Sequence, residues 1–149
     1  MKKTTAILLH LLFWTYKLGF STFMELLYKP ETAVNIDEFF SLFAVSGYIY
    51  QISTFYINYF IIMPLFFRKG KNLQLIISWI LLIAYFIGLR YLIEEVLYLK
   101  WFGVHNYFEG TSISYYIVDN LYYAASNIFP SVILYIILHW MKVEKQQFA

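Results

Sequence analysis

The chain has 149 residues, 61% hydrophobic, 23% aromatic and 13% charged, with a net charge of +2. Soluble domains carry about 25% charged residues, so lipid is the expected solvent, and four apolar runs leave little length for a soluble catalytic domain. The small net charge gives no reason to expect a nucleic-acid partner, and the lack of cysteine excludes a disulfide framework and a thiolate metal site.

A membrane-crossing helix needs about 20 mostly apolar residues. The first run, about 5–28, follows Met1-Lys2-Lys3 and imitates a secretory signal through Ala6 to Trp14. A cleaved signal is followed by small residues. Tyr16-Lys17-Leu18-Gly19-Phe20 is too bulky, so the run reads as a retained span. Lys29-Pro30-Glu31 stops it, because proline keeps the residue before it out of the helical region. Residues 30–38 read as an acidic loop, with Asp37 and Glu38 suited to the positive start of the next helix.

The second span, about 39–67, carries Ser46-Gly47, Gln51 and Asn58. Gln51 and Asn58 are seven apart and share a face, which suits hydrogen bonding between helices. Pro64 predicts a kink or a stop, and Arg68-Lys69-Gly70-Lys71 forms a basic turn. The third span covers about 73–99. A loop follows with Gly103, His105, Asn106, Tyr107 and Gly110; Trp101 and Tyr107 suit a membrane interface. The fourth span, about 113–140, is interrupted near its middle by Pro130. Residues 141–149 turn polar and read as a helix entering water.

Orientation follows from lysine and arginine in the short connections. Lys2, Lys3, Arg68, Lys69, Lys71, Lys142 and Lys145 fall on one side, with Glu144 the one acid there; Lys29 and Lys100 fall on the other with Glu31, Asp37, Glu38 and Glu109. The bias predicts four spans with both termini cytoplasmic. The expected fold is all-α: a polytopic membrane protein with four transmembrane helices in an antiparallel bundle over 1–140.

The informative residues are charges inside these runs. At the helical rise, Arg90 lies about 25 Å from the inner boundary, hence about 5 Å below the outer edge of a ~30 Å hydrocarbon core. Glu94 and Glu95 fall at that edge, Asp119 about 9 Å below it, and Lys17 about 18 Å from the inside. Glu25 is near the outer end of the first span. A charge at mid-span costs about 2.5–3.5 kcal/mol, which pairing offsets. Arg90 and Glu94, four apart, meet on one helix face. Arg90 is also suited to a two-pronged bond to Asp119. Asn120 and Asn127 share a face of the fourth span, with Ala124 between them permitting close approach. Two readings stay open. Lys17, Arg90, Glu94, Asp119, Asn120 and Asn127 form an outward-facing pocket for ligand binding or sensing, or an internal network that fixes helix register. Glu25, Glu94 and Glu95 also suit a plainer role as acids at a wet helix end.

His10 and His139 could in principle face each other and ligate haem or a metal; an interfacial role beside Trp14 and Trp140 is the simpler expectation, and no cofactor is expected. There is no phosphate loop, nucleophile elbow or metal-spaced histidine motif, so no catalytic residue is assigned.

Several short motifs occur in order: Leu8-Leu9-His10-Leu11-Leu12-Phe13-Trp14, Phe55-Tyr56-Ile57-Asn58-Tyr59 with Pro64 and the basic turn, and Arg90-Tyr91-Leu92-Ile93-Glu94-Glu95. Asn106-Tyr107, Tyr115-Tyr116-Ile117-Val118-Asp119-Asn120 and a charged helix after Trp140 follow. Across essentially its whole length the chain resembles the four-span N-terminal membrane domain of LytS-type bacterial sensor histidine kinases. The resemblance implies a location in the cytoplasmic (inner) membrane and a homodimer. It makes 141–149 the start of a cytoplasmic signalling helix leading into a kinase domain of the same full-length chain, with a LytTR-type response regulator downstream. Pro130 would then be a hinge in signal relay. The phospho-acceptor motif and the ATP-binding domain do not occur in these residues, and His139, at the end of a span, is not the phospho-acceptor. The competing expectation is a complete small membrane protein: a transporter or channel subunit, or a binder of quinone or haem.

Overall fold

The computed structural model describes residues 3–28 and 40–147, with side chains except at 3, 21–28 and 145. Every described element is helical: α1 is Lys3–Tyr28, α2 Leu42–Phe66, α3 Asn72–Phe102 and α4 Ile113–Gln147. The acidic loop expected at 30–38, the helix-start role of Asp37 and Glu38, and the side chain of Glu25 lie outside the described residues. Three helices, α2, α3 and α4, are long and apolar enough to cross a membrane. α1 has 26 residues and covers the first predicted span.

The chain divides into two compact units, Ser41–Tyr135 and Met1–Phe40 with Ile136–Ala149. The larger is an antiparallel bundle of α2, α3 and the first part of α4. Its outward surface is apolar: Phe60, Leu81 and Val118 are 64%, 64% and 66% exposed. In α3's most apolar window just 17% of residues are buried. Patches of this extent are not left in water by a monomeric soluble protein, whereas lipid tails solvate them as well as a core would.

Local chemistry explains the helix ends. The Ser41 hydroxyl accepts from the backbone N–H of Ala44 at 3.3 Å and caps α2. Pro64 brings no N–H and so cannot satisfy the carbonyl four residues back. α2 responds one turn earlier with a π-helical turn over Asn58–Ile62, in which the Met63 N–H bonds to the Asn58 carbonyl. The helix stops at Phe66, and the Arg68 guanidinium donates twice to the Pro64 carbonyl, at 3.1 and 2.9 Å. α3 runs three residues beyond its predicted end and closes on Gly103, whose φ of +68° suits a residue without Cβ.

Pro130 does not interrupt α4. The helix is continuous from Ile113 to Gln147 with Pro130 inside it. The missing N–H costs one backbone bond, not the helix.

The bundle core has three levels. Next to the basic turn, Ile62, Met63, Leu75, Leu82 and Ile128 pack together. Within that level Asn58 is fully buried; it donates to Ser131 Oγ at 2.6 Å and accepts from Trp79 Nε1 at 3.0 Å. One neutral amide thus ties α2 to both α3 and α4. Above it, Tyr50, Phe86 and Ala124 form a second level, with the Tyr50 and Phe86 rings edge to face at 5.0 Å. The third level is polar and lies at the end carrying the 103–112 loop.

In the smaller unit, the Phe13 and Trp14 rings meet edge to face at 5.1 Å, and the Lys17 ammonium sits 5.5 Å from the Trp14 ring centroid.

Candidate functional site

From Leu82 onward the buried positions of α3 recur every four residues: Leu82, Phe86, Arg90, Glu94 and Tyr98. In an ideal α-helix each such step drifts by about 40°, so the last members would turn away from the bundle. A second π-helical turn, Leu92–Leu97, takes up part of that drift. It keeps Glu94 and Tyr98 inward, with the Tyr98 hydroxyl donating to the Leu42 carbonyl at 2.8 Å. Single π turns occur frequently at functional sites; here one spans the two adjacent glutamates.

Arg90 is 8% exposed and Glu94 fully buried. Arg90 Nε donates to Glu94 Oε2 at 3.0 Å. The same carboxylate accepts from Ser46 Oγ of α2 at 2.8 Å and from Asn106 Nδ2 of the loop at 2.8 Å. On its other side the guanidinium donates to Asn120 Oδ1 of α4 at 2.6 Å. Its faces meet three rings, Tyr50, Tyr107 and Tyr123, at 5.5, 5.6 and 5.1 Å from the centroids. Such contacts strengthen when the cation is desolvated.

The two-pronged bond expected between Arg90 and Asp119 does not form. Asn120, one residue on, takes the guanidinium, while Asp119 accepts from the Tyr107 hydroxyl. Adjacent helical residues point about 100° apart, so only one of the two faces α3. Asn120 Nδ2 donates in turn to the Tyr107 oxygen at 3.2 Å and to the Tyr116 carbonyl at 2.8 Å. Burial, and the hydrogen bond given to Asp119, push the Tyr107 phenol up to about 12. The loop is fixed from below by Glu95, whose Oε1 accepts the backbone N–H groups of Asn106 and Tyr107, each at 3.2 Å.

The other predicted residues have these surroundings. Lys17 belongs to the smaller unit, beside Trp14. Asn127 is buried, but its Nδ2 turns back to the Tyr123 carbonyl of its own helix at 2.8 Å. Ala124 between Asn120 and Asn127 is fully buried. Pro130 precedes Ser131, the hydroxyl that accepts from Asn58. Ser46, Tyr50, Asn106, Tyr107 and Tyr123 were not assigned to the site from sequence. For Ser46, the signal was a small polar residue in an apolar run; for Asn106 and Tyr107, a polar pair in an otherwise plain loop.

Among the described residues no group of three or more His, Asp or Glu side chains is arranged to hold a metal ion. The arrangement is a desolvated guanidinium held by one carboxylate, one amide and three aromatic faces, drawn from three helices and a loop. It can fix those four segments in register. No protein-family model, curated protein or solved structure matches the chain.

Proposed function

We propose that the chain is a signal-input domain of a bacterial sensor histidine kinase, lying in the cytoplasmic membrane with four spans and both termini inside. One observation carries this: Glu94 accepts from Ser46 of α2 and Asn106 of the loop, while its partner Arg90 donates to Asn120 of α4. A stimulus that moves the loop must therefore break or trade a charge-assisted bond. The segment on the far side of that trade is α4, a 35-residue helix that leads to the C-terminal tail.

Further support comes from charge. Arg68, Lys69 and Lys71 sit in the turn at the opposite end of the bundle from the 103–112 loop. Basic residues stay on the cytoplasmic side, so the Arg90 cluster faces outward, where an external or membrane stimulus would act. The resemblance of the ordered motifs to LytS-type kinases points the same way, and implies a homodimer, a kinase domain in the full-length chain and a LytTR-type response regulator downstream.

The test is autophosphorylation of the full-length protein in membranes. Arg90→Met and Asn120→Leu should each shift basal output by several-fold in one direction, at unchanged protein level. Unaltered output from a folded Arg90→Met protein refutes the proposal.

A further inference from the structure

Between α2 and α3 lies a narrow apolar groove of about 300 Å³. Buried Ile62 and Leu82 make its floor, and Ile57 and Leu81 its walls. The two polar side chains that line it are already bonded. Ser78 Oγ donates to the Gln74 carbonyl at 2.8 Å. The Tyr85 hydroxyl donates to Ser53 Oγ of α2 at 3.1 Å and bridges the two helices at the end farthest from the basic turn. What the groove offers a visitor is therefore contact with hydrocarbon.

The second observation is the charge at its other end. Lys71, Gln74, Ser78, Leu81 and Tyr85 follow one another in steps of three and four residues, which places them on one stripe of α3. The stripe starts in the turn that holds Arg68, Lys69 and Lys71. No Asp or Glu occurs from Phe39 to Ile93, so neither helix that builds the groove gives this turn a counter-charge. Arg68 donates twice to the Pro64 carbonyl, Lys69 is exposed, and the Lys71 ammonium lies 5.8 Å from the Phe66 ring centroid.

The order along the stripe matches one kind of molecule. From the membrane surface inward it runs cations, the exposed amide of Gln74, then the groove. A phospholipid runs phosphate, ester carbonyl, hydrocarbon. At the helical rise, Gln74 to Tyr85 spans about 16 Å, and the tails of one leaflet fill about half of a ~30 Å core. Charge separates the candidates. A second copy packed here about an axis along the membrane normal would set the same patch against itself and bring two basic turns together. A zwitterionic lipid would carry its own ammonium to the lysines.

We propose that this face binds one anionic diacyl phospholipid of the surrounding bilayer. Its phosphate meets Lys69 and Lys71, the Gln74 amide donates to an ester carbonyl, and one acyl chain fills the groove. The proposal goes beyond the signal-input reading and does not rest on it. Its test reads binding and no signalling, so the two fail separately.

The probe is phosphatidylglycerol carrying a diazirine midway along one acyl chain, added at low fraction to phosphatidylcholine nanodiscs that hold a single copy of the full chain. Crosslinks are mapped by mass spectrometry. Labelling should saturate and concentrate on Ile57, Ser78 and Leu81, above Val118 of α4, which is as exposed as Leu81. Unlabelled phosphatidylglycerol should compete at least about fivefold better than phosphatidylcholine, the effect of one basic residue at an anionic surface. Soluble glycerol phosphate should not compete. Lys69→Gln with Lys71→Gln, both in the turn outside the bundle core, should erase the preference for the anionic lipid. Ser78→Phe, which fills the groove and leaves the charge alone, should remove the label from Ile57 and Leu81 while that on α4 stays. Even labelling of the whole apolar surface, equal competition by the two lipids, or competition by glycerol phosphate overturns the proposal. Loss of the label in nanodiscs holding two copies assigns the groove to a second copy and overturns it too. Labelling that none of these substitutions alters has the same effect.

Discussion

Replacing Glu94 with glutamine leaves the Arg90 guanidinium buried without its counter-charge. The carboxylate accepts from Arg90 Nε, Ser46 Oγ and Asn106 Nδ2 at 3.0, 2.8 and 2.8 Å. Hydrogen bonds to charged groups contribute about 1.5–3 kcal/mol each, which for three independent bonds would reach about 9 kcal/mol. They are not independent, since all three converge on one group and glutamine retains an acceptor oxygen. The expected loss is therefore that of breaking a buried ion pair from one side, about 3–5 kcal/mol. The pair itself is isolated by a cycle of Glu94→Leu, Arg90→Met and the double variant, because the double variant strands no charge. The assay is reversible unfolding in mixed micelles with rising dodecyl sulfate, followed by circular dichroism. The coupling should exceed about 1.7 kcal/mol, the upper end for neutral side-chain bonds between membrane helices. A coupling near the ~0.6 kcal/mol average for such neutral bonds would refute the claim that desolvated charge holds this end of the bundle.

Asn58→Leu removes the bonds to Trp79 and Ser131 and should cost about 1–2 kcal/mol, read in the same assay, with an altered Trp79 emission. Gly103→Val forces a β-branched residue to a φ of +68° and should cost on the order of 1–3 kcal/mol in the same unfolding titration. The raised Tyr107 phenol gives a pH signature. Its folded value of about 12 lies above the ordinary value near 10, so the fold favours the neutral form. That stabilisation is complete below pH 10 and is lost as pH rises from 10 through 12; Tyr107→Phe should flatten this part of the stability profile, measured against the parent protein.

What could be read in the sequence was what local helix geometry fixes. Arg90 meets Glu94 because positions four apart on a helix share a face, whatever surrounds them. The choice between Asp119 and Asn120 was not legible, because it depends on how α4 is rotated about its own axis. That rotation is set by packing around Ala124 and by the loop. Glu94 suited a wet helix end by its depth alone; Ser46 and Asn106, brought in by chain reversal, enclose it instead. The π turn at Asn58–Ile62 has a visible cause in Pro64. The one at Leu92–Leu97 has none in its own residues, since it answers the four-residue spacing of a face defined by neighbouring helices. Pro130 looked like a break because proline removes a backbone donor, but one missing bond leaves the rest of the ladder of α4 in place, and the helix runs on to Gln147.

The wide turn in α3 has a consequence for how this segment tolerates change. A π turn holds one residue more than the α turn it replaces, so losing one exposed residue there, such as Val96, lets the segment tighten to α geometry. Tyr98 would then follow Arg90 by about two α turns and still face the bundle. An added residue has no such outlet and would rotate everything after it by about 100°, carrying Tyr98 off the Leu42 carbonyl. A one-residue insertion between Leu92 and Leu97 should therefore be more damaging than the loss of Val96.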